Sequence, residues 1–233
     1  MDEYICNVQP KDDKTLSEIA GCKTLLACSD GGAAKGAGSF GWILKEKGSE
    51  TFLLKGIGGV DGRQPSSYRC ECAGILSVMC IWDCLQSDGV VGPDHKITLY
   101  CDNEGVVTLT KKILKWPNFP LPRDAPEADL LYCIKYMADR CRSAFEILWV
   151  ESHQDEKRKV QLKDLAEEAR LNVEADRLAS HALQQAVARP IITLKGPAGC
   201  DIVIKDASIR SRRNKSIKGN IDRSAMKRTI IKR

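Results

Sequence analysis

Three short strand-like runs come first in this 233-residue chain, and longer runs with helical periodicity follow them. Residues 24–29, 39–45 and 51–57 are rich in apolar residues and are separated by Asp-Gly-Gly and Lys-Gly-Ser turn signals. This spacing predicts three consecutive antiparallel strands. Apolar residues at helical spacing then appear at residues 66–86 and predict a long helix.

The next part of the chain alternates between strand-like and helical patterns. Compact apolar runs predict strands at residues 96–101 and 145–150, and helical spacing predicts helices at residues 103–115, 127–142 and 172–186. The resulting order, βββαβααβα, predicts an α/β fold with a mixed five-stranded sheet. Three antiparallel strands would be joined by parallel β/α units, with helices on both faces of the sheet.

Composition favours a globular protein without a membrane anchor. Hydrophobic residues make up 43% and charged residues 29% of the chain, and no apolar run approaches the ~20 residues of a membrane span. The polar first residues do not resemble a secretory signal. The odd number of cysteines, eleven, favours a reducing intracellular compartment, either cytoplasm or nucleus. The closely spaced cysteines are not followed by a second matching cysteine pair or by spaced histidines, as a zinc site would require.

Charge is distributed unevenly along the chain. Residues 210–233 contain ten Lys or Arg and one acid, a net charge of +9, whereas the preceding residues carry a net charge of −4. We expect a polar lead-in at residues 1–23, one domain at residues 24–188, and a small hairpin followed by a basic, flexible tail at residues 189–233. The tail is either a solvated end or a means of holding a polyanion, because each neutralised phosphate releases counterions.

Four acidic residues stand where predicted strands end or predicted helices begin. Asp30 and Asp102 close the first and fourth strands, and Glu71 and Asp176 lie in the first turns of two helices. Any one of them is typical of a turn or a helix cap. If strands one and four pair in parallel, however, all four can meet at one edge of the sheet. Carboxylates so close together need neutralisation, and Mg²⁺ prefers such oxygen ligands.

Five segments of the sequence resemble, in the same order, segments of the ribonuclease H domain. These segments are ACSDGGA with the following GSFGWIL, SSYRCECAGIL, ITLYCDNEGVV, WVESHQD and LNVEADRLAS, and they extend over residues 24–186. The sequence is most similar to the version found at the end of retroelement reverse transcriptases. The resemblance implies a ribonuclease H-like fold for this part of the chain.

The resemblance also implies roles for the four acids and for one histidine. Asp30 would bridge two Mg²⁺ ions, for which Mn²⁺ can substitute. Glu71 and Asp102 would hold the ion near the leaving group, and Asp176 would help to hold the ion that activates water. His153 matches a mobile-loop histidine that supports proton transfer or product release. The alternative for His153 is an ordinary exposed loop residue.

The implied reaction is hydrolysis of the RNA strand of an RNA–DNA hybrid, which leaves 5′-phosphate and 3′-hydroxyl ends. The residues implied or suggested for substrate contact are Gly31, Gly32, Ser67, Asn103, Lys111 and Lys112. Each has a structural alternative, namely a turn or packing glycine, a helix start, or a solvated basic helix face. We expect a monomer, with a reverse transcriptase polymerase domain as a further candidate partner.

Two other functions are compatible with the same pattern. A non-catalytic nucleic-acid-binding module on this fold would not need four intact acids. Another nuclease or an integrase of the same superfamily would act on a different substrate, but the contexts DNEG, SHQD and NVEAD favour ribonuclease H. His95 and His181 match none of the five segments, so we predict that both are surface residues.

Overall fold

The computed structural model describes residues 8–12, 14–34, 36–60, 65–122, 125–141 and 144–184, together with the backbone of residues 192–195, 200–204 and 230–232. The strands of the main sheet are Val8–Pro10 (β1), Thr24–Ala34 (β2), Ala37–Glu46 (β3), Phe52–Val60 (β4), Lys96–Cys101 (β5) and Phe145–Trp149 (β6). Their order across the sheet is β1-β4-β3-β2-β5-β6. The first four strands in this order are antiparallel, whereas β2, β5 and β6 are parallel. The predicted α/β fold with a mixed sheet is therefore confirmed.

The sheet has one strand more than the five predicted. The additional strand, β1, pairs antiparallel with β4, so that Val8 lies opposite Gly56 and Pro10 opposite Leu54. A three-residue strand that ends in proline is typical of a sheet edge and has no apolar run to reveal it. The helix that follows, Thr15–Gly21 (α1), buries Ile19 completely. Part of the predicted lead-in therefore packs into the core.

The other helices of the described residues are Ser67–Ser87 (α2), Glu104–Lys115 (α3), Ala128–Cys141 (α4), Gln154–Arg158 (α5) and Glu167–Gln184 (α6). Side-chain caps explain where two of them begin. Ser66 Oγ accepts a hydrogen bond from the Arg69 backbone N–H at 3.0 Å, and Asn103 Oδ1 accepts one from the Val106 N–H at 3.2 Å. Each cap satisfies a backbone donor that the first helical turn leaves unpaired.

Alternate residues of β2 enter two separate hydrophobic cores. Leu25 and Ala27 pack in the large core that contains most of α2, whereas Leu26 and Cys28 pack with Ala175 of α6. This division follows from the strand geometry, because successive side chains point to opposite faces of a sheet. Helices α2 and α6 consequently cover opposite faces of the sheet.

Two element boundaries differ from those predicted around the candidate acids. Helix α6 begins at Glu167 rather than at residue 172, because the segment Glu-Glu-Ala-Arg-Leu consists of good helix formers. Asp176 therefore lies in the third turn of α6, not in its first turns. Strand β2 continues beyond Asp30 to Ala34, because its pairing with β3 extends that far. Only the parallel pairing with β5 stops before Asp30, at Cys28 opposite Tyr100.

The prediction that His95 is a surface residue is wrong. Its side chain is buried, where Nδ1 accepts a hydrogen bond from the Gly92 N–H at 3.0 Å and Nε2 lies 3.1 Å from the Ala20 carbonyl oxygen. The loop before β5 folds back towards α1, a contact between distant parts of the sequence. His181 is exposed on α6.

Three short strands, Ile192–Lys195 (β7), Cys200–Ile204 (β8) and Ile230–Lys232 (β9), form a second, antiparallel sheet. The predicted domain boundary after residue 188 and most of the basic segment 210–233 lie outside the described residues. Both therefore stay predictions. Within the described ranges, no helix combines the length and the apolarity needed to cross a membrane.

Candidate active site

Asp30 lies on β2, the strand between β3 and β5, just beyond the end of its pairing with β5, and only 8% of its surface is exposed. The Gly31 N–H donates to Asp30 Oδ1 at 2.6 Å. Burial, together with the negative charges of Asp102 and Asp176, raises the pKa of Asp30 from 3.8 to about 7. The two other acids therefore lie close enough to Asp30 to disfavour its ionisation.

Glu71 lies close to Asp30 because helix α2 packs directly against strand β2. A Cβ atom at Gly31 would lie 2.4 Å from the carbonyl carbon of Cys70 and 2.5 Å from the backbone nitrogen of Glu71. The backbones of β2 and α2 therefore touch at this point, and only glycine leaves room for that approach. Glu71 is 3% exposed. Burial first, and then the charges of Asp30 and Asp102, raise the pKa of Glu71 well above its ordinary value.

Asp102 follows the last residue of β5, and the parallel register brings it level with Asp30. Partial burial raises the pKa of Asp102, while the nearby imidazole of His153 and the Asn172 side chain act in the opposite direction. The preceding residue, Cys101, has its Sγ 3.6 Å from Glu71 Oε2. Ligand atoms of Glu71, Cys101 and Asp102 all lie within 4.8 Å of one another.

Asp176 lies on α6, which covers the face of the sheet opposite to α2, the helix that carries Glu71. Helix α6 lies directly on β3, because a Cβ atom at Gly41 would be 2.5 Å from the backbone nitrogen of Ala179. A hydrogen bond from Ser39 Oγ to the Ala179 carbonyl oxygen, 2.7 Å long, ties the same turn to the strand. The charge of Asp176 contributes to the raised pKa of both Asp30 and Asp102. Glu71 and Asp102 thus have ligand atoms within 4.8 Å of each other, Glu71 adjoins Asp30 through Gly31, and Asp176 acts electrostatically on Asp30 and Asp102.

His153 lies on the exposed loop between β6 and α5. Its backbone is left-handed, with φ 51° and ψ 41°, a conformation that is uncommon for a residue with a side chain. Its imidazole acts on the pKa of Asp102, so it lies near that acid. Strained backbone of this kind occurs often at functional sites.

The residues predicted to contact substrate lie in different structural settings. Gly31 is required by the packing of α2, and Asn103 caps α3, so the structural alternative accounts for both. Gly32 has only ordinary contacts, the nearest being 3.7 Å to Leu183. Ser67 is exposed at the first turn of α2.

Lys111 and Lys112 are exposed on α3, the helix that starts two residues after Asp102. Lys115 Nζ lies 5.5 Å from the ring centre of Trp116, which stacks on Phe119 with their centres 6.0 Å apart. The end of α3 therefore presents a basic and aromatic surface.

Sequence reasoning missed three residues that contact the acid cluster. Asn172 is 2% exposed and acts on the pKa of Asp102, yet its Nδ2 has no well-formed hydrogen bond among the described residues. Its spacing, one helical turn before Asp176, is the signal that could have found it. Cys101 and Trp149 contact Glu71 and Asp102, but nothing in their local sequence predicts this.

The donor set fits divalent cations such as Mg²⁺. Burial first, and then the charges of neighbouring carboxylates, raise the pKa of both Asp30 and Glu71, so their ionised forms lack compensation in the protein alone. Several carboxylate oxygens at one partly open edge are the ligands that Mg²⁺ takes while keeping positions for water. A cation held there would remove the repulsion.

Comparison with known proteins gives matches at the level of structure. No family model and no curated protein matches the sequence. LC11 ribonuclease H1, solved in complex with an RNA/DNA hybrid, superimposes with a TM-score of 0.51 at 10% identity, over 69% of this chain and 97% of that chain. The N-terminal ribonuclease H domain of a Mycobacterium tuberculosis protein gives a TM-score of 0.48 at 16% identity, over 70% and 94% of the two chains.

Ribonuclease H1 from the halophilic archaeon Halobacterium salinarum gives a TM-score of 0.44 at 15% identity, over 70% of this chain and 99% of that chain. At such identities the likeness concerns the fold. Three observations support the same fold. They are the strand order β1-β4-β3-β2-β5-β6, the helices on both faces of the sheet, and the superposition on LC11 ribonuclease H1. This chain has a ribonuclease H-like fold.

Proposed function

We propose that this protein is a metal-dependent endonuclease that hydrolyses the RNA strand of RNA–DNA hybrids. The observation that carries the proposal is the convergence of Asp30, Glu71, Asp102 and Asp176 at one edge of the sheet, where burial and mutual repulsion raise the pKa of three of them. A binding module would gain nothing from this costly arrangement, because four carboxylates repel a phosphate backbone.

The four acids are proposed to hold two Mg²⁺ ions, for which Mn²⁺ can substitute. When bound, such ions supply charge stabilisation for the attacking water and for the leaving oxygen of a phosphodiester. Asp30 is the central residue, since the charges of both Asp102 and Asp176 act on it. Glu71 lies on the Asp102 side and is held by its contact with Cys101.

His153 is proposed to assist proton transfer or product release. An imidazole is suited to proton transfer near neutral pH. The residue is exposed to solvent, and its imidazole acts on the pKa of Asp102, so it lies near that acid.

The proposed substrate is an RNA–DNA hybrid. Support comes from the structural likeness to LC11 ribonuclease H1, which was solved with such a hybrid. Ser67, Lys111 and Lys112 are exposed on helices that begin beside the acid cluster, so they are available to contact a nucleic-acid backbone. Gly32 and Asn103 are proposed as weaker contacts. Gly31 would act indirectly, because it fixes Asp30 and Glu71.

The five sequence segments further suggest a retroelement origin, a monomer, and a reverse transcriptase polymerase domain as partner. Among the nine cysteines whose side chains the structure describes, no disulfide forms. A reducing intracellular compartment is proposed for the protein. These points are part of the proposal.

The test is cleavage of a hybrid with a labelled RNA strand. With Mg²⁺ the wild type should cut the RNA strand, and EDTA should stop the reaction. Asp102→Asn should bind the hybrid without cutting it. The matched control is Asp94→Asn, an exposed acid in the loop at the opposite end of β5, which should cut like the wild type.

Binding without cleavage in both Mg²⁺ and Mn²⁺ would instead identify a non-catalytic binding module. Cleavage of duplex DNA in preference to the hybrid would identify another nuclease of the same superfamily fold. Wild-type activity in Asp102→Asn would contradict the proposed site.

A further inference from the structure

Trp149, the last residue of β6, combines a fixed position with an exposed ring. It lies opposite Cys101 in the parallel ladder, and its indole Nε1–H donates to the Asp102 carbonyl oxygen at 3.0 Å. Half of its surface is nevertheless exposed, 50%. The ring is therefore held against the backbone of a candidate metal ligand while its remaining surface faces solvent.

The other three tryptophans of the chain do not combine a fixed position with a ring face that is open to solvent. Trp42 and Trp82 are buried. Trp116 is exposed, but it stacks on Phe119 and lies beneath Lys115. Across the part of the chain that the structure describes, no aromatic ring and no cation packs against Trp149. Its apolar face is thus available to a ligand.

The chemistry of the surrounding edge indicates which part of a nucleic acid would meet this ring. Four carboxylates lie nearby, so direct contact with phosphate is unfavourable without cations. An aromatic ring has no such requirement, because it packs on the uncharged ring face of a nucleotide whatever the base. In a duplex the bases are stacked inside, which leaves the sugar as the accessible face.

We infer that Trp149 is a nucleic-acid contact and a positioning residue, an inference that rests on the proposed function. Its exposed face packs on a sugar of the bound strand beside the acid cluster. Its indole N–H holds the backbone of Asp102, and with it the direction of that carboxylate. Substitution by phenylalanine distinguishes the two roles, because phenylalanine keeps an aromatic face but has no N–H to donate.

The experiment compares Trp149→Phe and Trp149→Ala with the wild type in steady-state cleavage of the hybrid. For Trp149→Phe we expect kcat to fall about fivefold, as for one lost hydrogen bond, with KM nearly unchanged. For Trp149→Ala we expect the same loss in kcat and, in addition, a higher KM, because the packing of the ring on the sugar is lost as well. Tyr136→Ala, which removes an exposed aromatic residue of α4, is the control and should change neither constant.

Binding is measured separately in the Asp102→Asn background, where the hybrid is not cut. Tryptophan fluorescence should change on addition of hybrid, and Trp149→Phe should remove most of that change even if Trp149→Ala fails to fold. Unchanged kcat, KM and fluorescence response in the Trp149 variants would overturn the inference while the proposed function stands. An equal loss in Tyr136→Ala would also overturn it. A wild type that neither binds nor cuts the hybrid would refute the proposed function itself.

Discussion

The guanidinium of Arg69 lies in a fork against the carboxylate of Asp129, with Nη1 2.9 Å from Oδ1 and Nη2 2.6 Å from Oδ2. Arg69 is 1% exposed and also contacts Glu127, whose Oε1 accepts a hydrogen bond from Ser66 Oγ at 3.0 Å. This network joins the first turn of α2 to the start of α4. Glu71 lies two residues further along α2, so the network also restrains one of the candidate metal ligands.

Replacement of Arg69 by alanine should strongly destabilise the fold. It would leave two partly buried carboxylates facing each other without a cation, a change that typically costs about 3–5 kcal/mol. Arg69→Lys should cost less, because it keeps the charge but cannot form the fork. Unfolding in urea measures both. The control is Lys11→Ala, which breaks an exposed ion pair with Glu18 and should cost less than about 1 kcal/mol. An equally small loss for Arg69→Ala would contradict the assigned role of the network.

In the absence of divalent cations, the contribution of Asp30 to folding stability should fall as the pH rises from about 4 towards 7. The pKa of Asp30 is about 7 in the folded state and near 3.8 when unfolded, so the folded protein binds more protons across this interval. Stability decreases with pH wherever the folded state binds the extra proton. Asp30→Asn should therefore flatten this dependence, whereas Asp94→Asn should leave it as in the wild type. If stability depends on pH in the same way in Asp30→Asn and in the wild type, the raised pKa of Asp30 is contradicted.

Addition of Mg²⁺ at neutral pH should stabilise the protein against unfolding. A cation bound only by the folded state adds about 2.7 kcal/mol at a concentration one hundred times its Kd. Protonation of Asp30 competes with the cation, so the Mg²⁺ concentration at half effect should increase as the pH falls below about 7. Asp30→Asn should weaken the response. Thermal unfolding with Mg²⁺ and with EDTA tests this, and a stabilisation that persists in Asp30→Asn would argue for a different binding site.

Gly41→Ala should displace α6 and disturb Asp176. The added Cβ atom would lie 2.5 Å from the Ala179 nitrogen and 2.8 Å from the Ala175 carbonyl oxygen, both of which are backbone atoms. We expect a loss of about 2 kcal/mol in unfolding free energy and a marked loss of cleavage. Gly21→Ala is the matched control, because a Cβ atom there meets nothing within 4 Å. A Gly41→Ala protein with wild-type stability would show that α6 adjusts more easily than its packing indicates.

Much of the site could be predicted because it depends on two general rules. Apolar periodicity identified the strands that carry Asp30 and Asp102, and the parallel pairing of β2 with β5 brings the two acids level. The burial of His95 and the contact of Trp149 with Asp102 could not be predicted, since both join residues that are far apart in sequence. The start of α6 was missed because its first turn is too polar to show an apolar stripe.

The close contacts at Gly31 and Gly41 have a consequence for how the protein loses its structure on heating. Gly31 supports α2 on one side of the sheet and Gly41 supports α6 on the other, yet Glu71 and Asp176 serve the same cluster. The two cores behind these helices share no residues, so we expect one layer to loosen before the other. Partial opening of one layer would then scatter the carboxylates while the rest of the molecule stays folded. Loss of the proposed cleavage activity on heating should therefore precede global melting.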